Sequence, residues 1–127
     1  MGYRGYISSR PFSGERAPQH IQNLVIRNYC TEHSLEYLLS VTEYAMEACF
    51  LMLGKLLLDL GKLEGIVLFS LFQLPESSKK RRLVYEKVLA ERKVIHFAAE
   101  GLRIECAGDV QRIEDIFSVR RAVERRA

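Results

Sequence analysis

The chain has 127 residues, a formal net charge of +3, 48% hydrophobic and 28% charged residues. That length matches one domain, residues 1–127, able to bury roughly two-thirds of the surface its unfolded form exposes, so no disulfide or metal staple is required. The most apolar stretch, residues 45–63, carries Glu47, Lys55, Asp59 and Lys62, which excludes a bilayer span.

The opening Met-Gly-Tyr-Arg-Gly-Tyr lacks the apolar core of a secretory signal, so a cytoplasmic location is expected. A first, weak strand signal covers residues 5–9. Residues 18–33 follow with Ile21, Leu24, Val25 and Tyr29 at helical spacing, and Pro18 suits a first turn that has no use for its missing amide hydrogen. A second strand is expected at 37–41, and then a helix at 45–60 that is apolar around most of its circumference. The third strand signal is 66–69. A helix follows from Ser77 or Ser78 to about Arg92, capped by one of those serines and turning Leu83, Val84, Val88 and Leu89 to the sheet. A fourth strand is expected at 94–98, a tight turn at Glu100-Gly101, and an edge strand at 102–106. The last helix, 109–126, carries a stripe of Val110, Ile113, Ile116, Phe117 and Val123.

Apolar runs alternating with helices predict βαβ units and a three-layer, flavodoxin-like α/β sheet. The expected order is 2-1-3-4, all parallel, with an antiparallel fifth strand at the edge. Residues 1–106 form the sheet core, and the C-terminal helix is added to it. Two apolar surfaces, the 45–60 helix and the Val110, Ile113, Phe117 stripe, exceed what one sheet covers, which predicts a homodimer. The three cysteines, Cys30, Cys49 and Cys106, lie among apolar neighbours without metal or redox spacing, and read as reduced and buried. Basic residues cluster at 79–82 and 120–126 without interleaved aromatics, which favours solvated helix faces over a nucleic-acid surface.

In an open parallel sheet, ligands bind beyond the carboxyl ends of the strands, where helix N-termini present free amides. The assignment brings Ser8, Ser9, Arg10 and Arg16, then Gln19, His20, Gln22 and Asn23, then Thr42, Glu43, Ser70, Gln73 and Glu100 to that rim. Arg10 and Arg16 suit a phosphate or carboxylate, Glu43 suits a general base or a sugar-hydroxyl acceptor, and the remaining amides and hydroxyls suit sugar hydroxyls. An ion-paired network holding the loop is the competing reading. The histidines show no metal spacing, and GxSxG, GxGxxG and GxxxxGK[ST] are all absent, so no metal or cofactor is expected.

The stretches at 5–9 (GYISS), 22–35 (QNLVIRNYCTEHSL) and 66–74 (IVLFSLFQL) resemble the catalytic domain of resolvase-type serine recombinases, whose final helix contributes to a dimer. The recombinase active site does not carry over. Where that family has an arginine and its nucleophilic serine, this chain has Ser8 and Arg10. Where it has an Asp-Arg pair and a further arginine, this chain has Phe72, Gln73 and Glu76, so DNA cleavage is not implied. The runs at 5–30 (GYISSRPFSGERAPQHIQNLVIRNYC), 38–53 (LLSVTEYAMEACFLML) and 70–82 (SLFQLPESSKKRR) are similar to the sporadic carbohydrate cluster proteins, small bacterial proteins of surface-polysaccharide and lipopolysaccharide gene clusters. That resemblance implies a place in surface-carbohydrate synthesis and an anionic carbohydrate ligand, such as a sugar phosphate or nucleotide sugar. It leaves open whether the chain is an enzyme. Arg10, Gly14, Arg16, Pro18, Gln19, Gln22, Asn23, Glu43, Ser70 and Gln73 lie in the similar segments. A nucleic-acid module without catalysis and an interaction subunit of a larger glycan enzyme are the alternatives.

Overall fold

The computed structural model describes residues 2–9, 17–46 and 48–126, with side chains as far as residue 123. Five strands form one sheet: β1 (Tyr3–Ser8), β2 (Val41–Glu43), β3 (Gly65–Leu68), β4 (Val94–Phe97) and β5 (Leu102–Ile104). Their order is β2-β1-β3-β4-β5, parallel throughout except for the antiparallel β4–β5 pair, as the sequence predicts. The helices are α1 (Gln19–Glu32), α2 (Leu51–Leu58), α3 (Ser78–Ala90) and α4 (Ala107–Arg126). Among the described residues no helix is long and apolar enough to cross a membrane.

Strand alternation divides the core in two. Tyr6, Ile66, Leu68, Ile95, Phe97 and Ile104 point to one face, where they meet Leu53 and Leu56 of α2, Val84 and Val88 of α3, and Ile113 of α4. Tyr3, Ile7 and Val67 point to the other, which is covered by Ile26, Tyr29 and Cys30 of α1. Gly65 permits the close approach of β3 to β4, because a Cβ there would overlap the Val94 carbonyl.

Several expectations shift once partners are known. The second strand does not occupy 37–41: Tyr37 only bridges Tyr3, and regular pairing starts at Val41. The 45–60 helix contracts to Leu51–Leu58, because Ala48 adopts a left-handed φ of 54° and Glu43 draws in the amides of Met52 and Leu53. On α1 the buried row is Gln22, Ile26, Tyr29 and Cys30, while Leu24 is 63% exposed. On α3 it is Arg81, Val84, Tyr85 and Val88, and Leu83 is turned outward. Ser77 does cap α3, accepting from the Lys80 amide. Of the cysteines only Cys30 is buried, Cys49 being half-buried and Cys106 exposed.

The rotation of α3 follows from one buried group. Arg81 makes paired bonds to Glu114 of α4, at 2.8 Å and 3.0 Å, and donates also to the Pro75 and Glu76 carbonyls. Tyr85 donates to the same carboxylate at 2.6 Å. The Arg81 guanidinium lies over Phe117, which packs edge-on against Phe72. The first half of the α4 stripe thus packs largely within the chain: Ile113 is buried and Phe117 is half-buried against the core, so they leave less free apolar surface than their spacing suggests. What stays open lies further along, at Val119 and Val123.

Burial alone would raise the Glu114 carboxyl, but hydrogen bonds from Arg81 and Tyr85 and the charges of Arg81 and Arg82 outweigh it and hold it below its usual 4.5. On β4, burial, with Arg103 and His33 adding to it, lowers His96 from 6.5 to about 4. His96 is therefore neutral in the folded chain, with Nδ1 2.7 Å from the Tyr29 hydroxyl. Both shifts have the same consequence. The unfolded chain binds more protons, so stability is complete above the unfolded values and is lost as pH falls. Urea midpoints should decline first between pH 6.5 and about 4, as His96 in the unfolded chain takes up a proton. They should fall again below 4.5 as Glu114 is protonated. His96→Gln should flatten the upper limb, and Glu114→Ala, which leaves Arg81 without its carboxylate, should cost about 3 kcal/mol at neutral pH.

Candidate functional site

Of the polar residues that topology assigned to the strand ends, Ser8, Gln22, Ser70, Gln73 and Glu100 are bonded to one another, while His20 and Thr42 are exposed. Gln22, on the first turn of α1, is fully buried. Its amide accepts from the Ser8 amide at 3.1 Å and donates to the Ser8 carbonyl at 2.6 Å and the Ala17 carbonyl at 2.8 Å. Pro18 precedes the helix, and its carbonyl accepts from the amides of Ile21 and Gln22.

Gln73 joins this group from the turn of 3-10 helix Leu71–Gln73 that follows β3. Its Nε2 donates to Gln22 Oε1 at 2.9 Å and to Ser8 Oγ at 3.3 Å, and its Oε1 accepts from the Ser70 amide. Ser70 accepts from the Phe72 amide and donates to Glu100 at 2.7 Å, while the Leu71 amide donates to the other Glu100 oxygen. Ser8, Gln22, Gln73, Ser70 and Glu100 thus form one continuous network across the ends of β1, β3 and β4.

Glu43 lies apart from that network, at the end of β2, and is buried. Tyr6 donates its hydroxyl to Oε1 at 2.9 Å, Leu53 its amide to the same oxygen, Tyr44 its amide to Oε2, and the Met52 amide reaches both. The Cys49 thiol approaches Oε2 at 3.8 Å. A carboxylate surrounded by donors in this way satisfies the free amides that open α2. Tyr6 is the partner that sequence reasoning missed. The signal was present, because Tyr6 and Ser8 are two apart on one strand and share a face.

Three further residues are less committed. Ser9 is half-buried just past β1, and Gln19 is exposed at the start of α1. Asn23, one turn on from Gln19, is half-buried, yet its Oδ1 is enclosed and has no donor among the described residues. Arg10, Gly14 and Arg16 lie outside the described residues, as does the rest of the 10–16 loop. No cluster of metal ligands occurs among the described residues.

The chain's fold has relatives of known structure. The N-terminal catalytic domain of TP901-1 integrase superimposes with a TM-score of 0.67 at 16% identity, covering 97% of each chain. A resolvase family site-specific recombinase from Streptococcus pneumoniae gives 0.66 at 8% identity, over 97% of this chain and 91% of that one. At such identities the likeness is one of fold, and the resolvase-like architecture is established on that basis. No family model matches the chain, and no curated protein matches it at a significant level. Neither comparison supports the resemblance to sporadic carbohydrate cluster proteins.

Capping and catalysis make opposite demands on Glu43. As the cap of α2 it should be needed for stability: Glu43→Ala strands the Met52 and Leu53 amides and should cost about 2 kcal/mol or more in urea unfolding. An unchanged urea midpoint would show that Glu43 is not a structural group.

Proposed function

We propose that the chain binds an anionic carbohydrate, such as a sugar phosphate or nucleotide sugar, at the strand-end rim and serves bacterial surface-carbohydrate assembly as a binding protein. The observation that carries this reading is the enclosed Asn23 Oδ1, an acceptor without a donor among the described residues, one helical turn from the exposed Gln19. A buried acceptor left unmatched costs roughly 1–3 kcal/mol, and a ligand hydroxyl is the kind of donor that relieves it. In sequence the adjoining loop supplies Arg10 and Arg16, which suit the ligand's anionic group.

Binding without chemistry is favoured by the state of Glu43, the candidate catalytic group, and of Ser8 at the end of β1. Ser8, at 1% exposure, receives Gln73 Nε2 on its hydroxyl, and Glu43 is occupied by Tyr6 and four amide contacts. Neither is arranged as a nucleophile beside its base. Thermal-shift measurements against nucleotide sugars and sugar phosphates test the proposal. A true ligand at about 100 times its dissociation constant adds roughly 2.7 kcal/mol, or about 10 °C for a domain of this size. Asn23→Leu should abolish that shift while raising the melting temperature of the free protein. Binding of arbitrary duplex DNA with a steep salt dependence, and no response to sugar phosphates, would favour the nucleic-acid alternative instead.

A homodimer through the outer half of α4 belongs to the same proposal. Val119 and Val123 are 65% and 59% exposed and, with Phe72 and Ile116, line a groove of about 570 Å³ bordered by Arg112, Asp115 and Arg120. Opposite charges flanking an apolar strip suit a self-complementary contact. Light scattering should give twice the 14.7 kDa chain mass, and Val119→Glu should halve it.

A further inference from the structure

A second groove, of about 810 Å³, lies where α1, β1 and the extended segment that leads into β2 meet. Arg4, Arg27, Thr31, Tyr37, Leu38 and Leu39 line it. None of them belongs to the strand-end rim. Arg27 and Thr31 are four apart on α1 and so share a face, while Arg4 rises from β1.

Among the described residues each guanidinium makes one side-chain contact that leaves further donors unused. Arg4 Nε donates to the Leu39 carbonyl at 3.0 Å, and the Arg27 guanidinium lies 5.4 Å from the Tyr37 ring centre. Tyr37 is itself fixed by a 2.8 Å hydrogen bond between its hydroxyl and Ser40. Ion pairs occur elsewhere, at Arg81–Glu114, Lys87–Glu91 and Arg103–Glu105, but among the described residues no carboxylate pairs with Arg4 or Arg27. Beside these two charges stands Leu39, 73% exposed, with Leu38 behind it half-buried. A groove that joins two oriented guanidiniums to an uncovered aliphatic wall has one end suited to an anion and another suited to a hydrocarbon.

We propose that this groove binds a phosphomonoester carrying an aliphatic chain, with the phosphate between Arg4 and Arg27 and the chain along Leu38 and Leu39. Two guanidiniums match the charge of about −1.5 to −2 that a phosphomonoester carries at neutral pH better than they match a single carboxylate. Their planar forks bind tetrahedral oxyanions through paired hydrogen bonds. The volume falls within the roughly 300–1,000 Å³ usual for small-ligand sites. This site is separate from the strand-end rim and stands or falls independently of it.

Isothermal titration with octyl phosphate, kept below its micelle concentration, tests the assignment, with inorganic phosphate and octyl glucoside as comparisons. Octyl phosphate should bind at least about tenfold more tightly than inorganic phosphate, and octyl glucoside should not bind measurably. Arg4→Gln and Arg27→Gln should each weaken octyl phosphate about tenfold. Leu39→Ser, at a position whose exposure makes it dispensable for folding, should weaken octyl phosphate and leave inorganic phosphate unchanged. Amide shifts on titration should fall on Arg27, Thr31, Leu38 and Leu39 rather than on Ser8 and Gln73. Equal binding of octyl glucoside, affinity unaffected in either arginine variant, or shifts confined to the rim would overturn it.

Discussion

One side-chain amide organises the carboxyl end of the sheet. Gln22 bonds both the N–H and the C=O of Ser8, so it pairs with the last residue of β1 as a neighbouring strand would. Because a buried peptide group left unpaired costs as much as a lost hydrogen bond, this contact fixes how α1 is rotated about its axis. It is the reason Ile26, Tyr29 and Cys30 reach the core while Leu24 does not. The same amide oxygen receives Gln73, which ties the end of β3 to β1 and, through Ser70, reaches Glu100 after β4.

Two buried carboxylates perform the same service elsewhere. Glu43 gathers the amides at the start of α2, and Glu114 gathers Arg81 and Tyr85 so that α4 seats on α3. Each is used as a multiple acceptor, and each moves an element from where hydrophobic spacing alone would put it. The consequence for function is that a polar residue at a strand end is not by that fact available to a ligand. Ser8, Gln22, Gln73, Ser70, Glu100 and Glu43 spend their hydrogen bonds on the fold. Among the described residues, Ser9, Gln19 and Asn23 keep capacity in reserve.

The shared architecture with recombinase catalytic domains sharpens that distinction. A sheet of order 2-1-3-4-5 with helices on both faces can be kept by packing constraints alone, whereas phosphodiester cleavage needs a nucleophile and a set of cationic groups around the scissile phosphate. In this chain Gln73 occupies the turn after β3, and its amide is directed inward to Ser8 and Gln22. An amide serving as internal scaffold supplies no positive charge to a phosphate.

The sequence by itself determined the class of fold, the strand order, the antiparallel last strand and a serine cap at 77 or 78, because these follow from period, turn residues and chain connectivity. Gly101, with φ of 67°, turns the chain where the Glu100-Gly101 pair said it would. The placement of Ser8, Gln22, Glu43, Ser70, Gln73 and Glu100 at the strand ends was legible for the same reason, since topology alone decides which residues leave the carboxyl ends of parallel strands. Tertiary structure alone decided which face each helix turns inward and which rim residues are already satisfied. Leu83 and Leu24 look like core residues by spacing, but Arg81, Tyr85 and Gln22 took those faces when each found a buried partner more than ten residues away. Hydrophobic periodicity reports the average preference of a face. A single buried hydrogen-bonding group, too costly to leave unpaired, can rotate the helix that carries it.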